Sequence, residues 1–193
     1  MQPFDFQPAA ICGLALITPF LAPDSRGFFS KPFEKRIFAE HGIELSPYEE
    51  LRSFSHKGVL RGLHFQREHS QDKLVQVLSG AAYDVAVDLR EGSSTFGKWE
   101  GFELTAENRR LLYIPKGFAH GFLALEEGTL FSYLCGDRYD PASDGGIRWN
   151  DQDIAVDWPL DSVEQLIVSD KDAALPSLKE FLERYGPLKG SSQ

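Results

Sequence analysis

The chain has 193 residues, 42% of them hydrophobic, which suits one soluble core and is barely enough for two. Twenty Lys and Arg against 29 Asp and Glu leave a formal net charge of −9. That field repels nucleic-acid backbones and anionic membrane surfaces, so neither is expected as a partner. No basic-then-apolar leader and no apolar run near the ~18 residues of a membrane span can be read, and the expectation is a cytoplasmic protein. The two cysteines, Cys12 and Cys135, have a spacing that supports neither a metal site nor a disulfide.

In chain order, the first helix signal is Ser30 as a cap, with Phe33, Ile37 and Phe38 on one face and Gly42 as a left-handed stop. Strand character then dominates. Gly58–Gln66 reads as a strand carrying His64 between Leu63 and Phe65. Gly80 turns the chain into a strand on which Tyr83, Val85, Val87 and Leu89 alternate with Ala82, Asp84, Ala86 and Asp88. Phe118, His120, Phe122 and Ala124 share one face of the next, and after a turn at Glu126-Glu127-Gly128 a returning strand presents Thr129, Phe131, Tyr133 and Cys135. Read as a hairpin, the pair places His120 and Tyr133 in one cavity. Gly145-Gly146 reads as a turn, and Asn150–Asp153 as a surface turn. Near the end, Ser177 and Glu180 form a capping-box spacing before the stripe Leu178, Phe181, Leu182 and Tyr185, which Gly186-Pro187 terminates. Residues 1–193 are read as a single domain with a frayed tail over 190–193.

Short strands with Gly and Pro punctuation and few helices predict an all-β fold, an antiparallel barrel or jelly roll with a ligand in its mouth. Within it, His64 and His120 are imidazoles set among apolar neighbours, where nearby groups can tune proton affinity for general base work. Three-histidine metal ligation lacks a third residue at the right spacing, while His64, His120 and one carboxylate remain a formal ligand set. No Gly-x-Ser-x-Gly elbow, activated cysteine or phosphate-binding glycine loop is present. Acid/base chemistry by His, Tyr, Lys and carboxylate remains.

The stretches Arg26–Phe29 (RGFF), Gly58–His64 (GVLRGLH), Lys73–Val75, Asp84–Arg90, Pro115–Phe122 (PKGFAHGF) and Ser169–Asp172 occur in the order found in the dTDP-4-dehydrorhamnose 3,5-epimerase family, which the chain resembles from about residue 13 to 172. The resemblance implies a cupin-type jelly roll (double-stranded β-helix) with short terminal helices, a strand-exchanging homodimer, and epimerisation of a nucleotide-linked 4-keto-6-deoxyhexose at C3 and/or C5 without metal or other cofactor. It casts His64 as the base, Asp172 as the carboxylate that orients it, Tyr133 as the opposing acid and Lys73 as the cation beside the enolate oxygen. Arg26, Arg61, His120 and Lys171 match positions that contact the nucleotide-sugar, and Tyr139 matches an aromatic that stacks on the base.

Some positions depart from the family's pattern. Lys31 stands where the family carries Glu, Glu49 and Leu51 stand in its Gln-Asp-Asn stretch, and Asp144 replaces a glutamate. In the family several of these positions serve the nucleotide end of the ligand, so the nucleoside stays open at this point, as does the number of carbons inverted, which depends on how the ring is presented and whether the intermediate escapes. Two other readings stand beside the epimerase, a metal-dependent cupin oxidase or dioxygenase and a non-catalytic sugar-nucleotide binding module. Alternation along the strand sets Arg61 and His64 on opposite faces, so bringing both to one ligand calls for a bulge or bend at Gly62.

Overall fold

A computed structural model describes residues 1–190. Fourteen strands run in chain order: β1 Asp5–Pro8, β2 Ala15–Thr18, β3 Phe20–Asp24, β4 Gly27–Lys31, β5 Glu49–Ser55, β6 Val59–Gln66, β7 Lys73–Ser79, β8 Ala81–Asp88, β9 Trp99–Thr105, β10 Leu111–Ile114, β11 Phe118–Ala124, β12 Thr129–Cys135, β13 Asp144–Gly146 and β14 Ile167–Val168. Helices α1 (Lys35–Glu40), α2 (Asp170–Ala173) and α3 (Leu178–Tyr185) are short. One sheet has the order β1-β2-β10-β7-β12-β5; the other has β13-β6-β11-β8-β9, with β14 added to β6. Strands β3 and β4 form a separate hairpin.

The alternation read on β8 explains the layering. Ala82 and Ala86 pack with Val75, Leu112, Phe122 and Phe131, whereas Val85, Val87 and Leu89 pack with Trp158, Leu178 and Phe181. The strand is therefore buried on both faces, and its small side chains lie on the face toward the second sheet. A third cluster sets Phe38 of α1 against Ile17, Leu74 and Leu111.

Four expectations are corrected. Gly145-Gly146 is not a turn but part of β13, paired with Phe65 and His64 of β6. Strands β11 and β12 are not a paired hairpin: β11 bonds to β6 and β8, β12 to β5 and β7. The turn at residues 126–128 carries the chain from one sheet to the other, as Greek-key connections do. Ser30 lies within β4, and α1 begins after Glu34, because pairing with Leu21 claims the Ser30 backbone first. Asp151 is buried rather than part of a surface turn, since its carboxylate accepts the N–H groups of Asp153, Ile154 and Leu178. The C-terminal capping box at Ser177 and Glu180 is present as read. Of the expected frayed tail, Gly190 is described and packs against Arg90, while 191–193 lie outside the described residues. Both cysteines are free thiols, Cys12 exposed and Cys135 buried.

At the end of β8 the buried Asp88 carboxylate accepts five hydrogen bonds, from the Arg90 backbone and guanidinium, Ser93 and Thr95. Burial alone would raise its pKa, yet these donors bring it down to about 2. A depressed carboxyl contributes stability that is present above its unfolded value of ~3.9 and is lost as pH falls through the folded one. Asp88→Asn is expected to cost about 2 kcal/mol at neutral pH and to flatten the loss of stability between roughly pH 4 and 2, measured by urea unfolding across pH.

Candidate active site

Between the two sheets lies a cavity of about 170 Å³ lined by Arg61, His64, Lys73, His120 and Tyr133, together with Leu51, Gln66, Gln71, Cys135, Tyr139 and Asp144. The walls come from opposite sheets. His64 on β6 and His120 on β11 are register partners, so both rings project from the same face of one sheet. Tyr133 on β12, paired with Val75 and Leu51, and Lys73 at the start of β7 come from the other. A floor of aromatic rings supports them: Phe122 and Phe131 stack with centroids 4.3 Å apart, and Tyr133 lies 4.8 Å from Phe131 and 5.9 Å from His120.

Arg61 joins His64 through a bulge. The β6–β11 register moves from His64↔His120 to Arg61↔Phe122, so Gly62 and Leu63 together oppose Gly121. Gly62 has φ +130°, and a Cβ there would sit 2.5 Å from the Gly121 Cα, so glycine is required on both conformational and steric grounds. Arg61 is held by Ser55 Oγ and the Phe54 carbonyl.

Two histidine–carboxylate pairs meet at the cavity. His64 Nε2 lies 2.8 Å from Asp172 Oδ1, and the other Asp172 oxygen accepts the Gly62 N–H. Asp172 is buried on α2, where its backbone N–H is capped by Ser169 Oγ, whereas Asp170 is exposed and takes no part. Burial opposes ionisation of Asp172, but the His64 hydrogen bond and charge, the Gly62 N–H and Lys171 outweigh it, and its pKa is lowered overall. The second pair is His120 Nε2 with Asp84 Oδ1, 2.5 Å apart and wholly buried. Asp84 escaped the sequence reading as a site residue. Its signal was a carboxylate on the small-residue, inward face of β8, where an unpaired charge would be costly.

Burial raises the pKa of the Tyr133 phenol, keeping it protonated at neutral pH. Lys73 is shifted the opposite way: burial pulls its ammonium below the ordinary lysine value, against the counter-pull of Cys135, Asp144 and Asp84. Burial also pushes the Cys135 thiol up to about 11 despite neighbouring Lys73, so it is no thiolate nucleophile. Among the described residues, no three His, Cys, Asp or Glu side chains are grouped to hold a metal ion.

The remaining predicted residues divide by place. Tyr139 and Leu51 are exposed at the cavity wall, and Asp144 accepts hydrogen bonds from Tyr139 Oη at 3.2 Å and Lys171 Nζ at 2.6 Å. Glu49 reaches the cavity through Gln71, whose Nε2 it accepts at 3.1 Å. Arg26 and Lys31 do not line it. Both belong to the β3–β4 hairpin, where Arg26 pairs with Asp24 and Lys31 with Glu34. Gln66 and Gln71 were not anticipated; Gln66 ties the wall together by donating to the His69 and Arg138 carbonyls and accepting the Asp140 N–H.

Residues 8–180 match the model of the dTDP-4-dehydrorhamnose 3,5-epimerase family. The chain belongs to that family. It is an epimerase, and therefore an isomerase, of the cupin-type fold. It is 48% identical over 180 residues to the dTDP-4-dehydrorhamnose 3,5-epimerase of Methanothermobacter thermautotrophicus, covering 93% of this chain and 97% of that one. With the Escherichia coli enzyme of the same name it shares 49% identity over 170 residues, covering 86% and 90%. The Legionella pneumophila dTDP-6-deoxy-D-glucose-3,5-epimerase, solved in complex with dTDP-4-keto-L-rhamnose, superposes with a TM-score of 0.92 at 42% identity over 98% of this chain and 100% of that one.

Proposed function

We propose that the chain inverts C3 and C5 of a dTDP-linked 4-keto-6-deoxyhexose by proton transfer between side chains on opposite walls of the cavity. The observation that carries the reading is His64 on one sheet, paired with Asp172 of α2, facing Tyr133 and Lys73 on the other sheet. A C4 ketone acidifies the adjacent C–H bonds. The His64 nitrogen not engaged by Asp172 takes the proton, and the ionised Asp172 stabilises the positive charge that develops on the ring. Lys73 sits to stabilise the enolate oxygen, and the protonated Tyr133 returns a proton to the opposite face, which inverts the carbon. His120, buttressed by Asp84, and Arg61 add polar contacts for the ligand's anionic end, with Tyr139, Asp144 and Lys171 at the rim. The test is NMR of dTDP-4-keto-6-deoxyglucose incubated with the protein. Formation of the C3, C5-inverted sugar is expected, and unchanged substrate at saturating protein would refute the reading.

The same reading makes the working unit a homodimer. Phe28 and Phe29 on β4 and Leu51 and Phe54 on β5 are exposed, and β5 is an edge strand. Such a surface is an invitation to strand pairing. The hairpin bearing Arg26 and Lys31 is then free to reach a partner's cavity, which accounts for their absence from their own. Sedimentation equilibrium is expected to give twice the 21.7 kDa chain mass, and Arg26→Ala to raise KM more than it lowers kcat. A cytoplasmic site of action follows from a nucleotide-sugar substrate and is supported by the two free thiols.

A further inference from the structure

A second cleft, of about 520 Å³, lies against β13, α3 and the turn between α2 and α3, and three arginines line it, Arg67, Arg148 and Arg184. The guanidinium carbons of Arg67 and Arg184 lie 4.3 and 5.0 Å from the centroid of the same Tyr185 ring, so one aromatic side chain gathers two cations. Among the described residues the Arg67 guanidinium donates only to the Ala142 carbonyl, and neither Arg67 nor Arg184 has a carboxylate within ion-pair distance. Arg148 contacts Glu180 at 3.1 Å, but its Nε is buried and makes no hydrogen bond. Glu180 already accepts the backbone N–H and hydroxyl of Ser177, and Asp144, the other acid in the lining, is held by Lys171.

In a chain of net charge −9, three guanidinium groups drawn together with few counter-charges make a local positive field that attracts anions. Guanidinium forks match phosphate oxygens in pairs, and the volume suits a small metabolite. We propose that this cleft, which adjoins the active-site cavity across the shared Phe65 and Asp144, is a second binding site for the phosphate or diphosphate group of a small molecule. The residues that define it take no part in the proton transfers assigned above. Its recognition rests on phosphate chemistry, which free diphosphate and a nucleoside diphosphate share.

Calorimetric titration of the full chain with inorganic diphosphate tests it, comparing wild type with Arg67→Gln/Arg184→Gln. The double variant is expected to bind one fewer diphosphate per chain, or to bind one at least tenfold more weakly, while its epimerase turnover is unchanged and certifies the fold. Arg184→Gln alone, on the exposed face of α3, is expected to weaken that site at least threefold. A parallel titration with thymidine diphosphate separates the two sources: a tighter fit than diphosphate assigns the nucleotide, an equal one the free anion. Identical stoichiometry and affinity for diphosphate in wild type and double variant would overturn the proposal. Failure of the epimerase reading would abolish turnover and leave this difference untouched.

Discussion

His64→Ala is expected to lower turnover by about 10³-fold or more, with the protein still folded, because the variant removes the proposed base while Asp172 keeps its hydrogen bond from the Gly62 N–H. The cost exceeds that of a lost contact. Proton removal from carbon needs a base at the reacting atom, and without the ring the nearest carboxylate, Asp172, is buried behind the position it occupied. Asp172→Asn tests the second half of the same pair. It preserves shape but removes the charge that stabilises the imidazolium, and a loss of about 10²-fold is expected in kcat, with little change in KM. Thermal unfolding of both variants within a few degrees of wild type separates a chemical defect from a folding one.

Tyr133→Phe is expected to separate two events that wild type performs together. The ring packs against Phe131 and the His120 edge, so removing only the hydroxyl leaves the aromatic floor in place. His64 and Lys73 still generate the enolate, but the proton from the opposite wall is gone, and reprotonation falls to His64 on the original face. Hydrogen exchange with solvent therefore continues while inversion drops by about 10²- to 10⁴-fold, the range typical of a lost general acid. Lys73→Met should instead depress exchange and inversion alike, since it weakens the intermediate that both require.

Much of this site was legible in the sequence because its residues sit on strands whose alternation sets their facing. His120 and Tyr133 were placed in one cavity from period-two patterns, His64 was tied to the site only through the family motif, and an irregularity at Gly62 followed from the need to bring Arg61 to the same side. The cavity arose by a different route, however. β11 and β12 belong to facing sheets, and a pattern of alternating side chains is the same whether the next strand is a neighbour or lies across the core. Asp84 was hidden by being read as one more member of an alternating face, although a carboxylate there demands a buried partner. Asp151 was misread for the related reason that its run of polar residues resembles a turn, while its carboxylate is spent on the N–H groups of Ile154 and Leu178. The one-turn helix α2, which aims Asp172, is too short for a periodic signal and was legible only through the Ser169–Asp172 motif. Arg26 could be matched to the family but not positioned, since its hairpin leaves the body of its own chain's cavity.

The most direct measurement is deuterium uptake at C3 and C5 of the 4-keto sugar in D₂O, followed by NMR for wild type and His64→Ala side by side. Wild type is predicted to incorporate solvent deuterium at both carbons as it inverts them, and the variant to incorporate none on the same timescale. Uptake by His64→Ala at the wild-type rate would contradict the account, because another group would then be taking the proton.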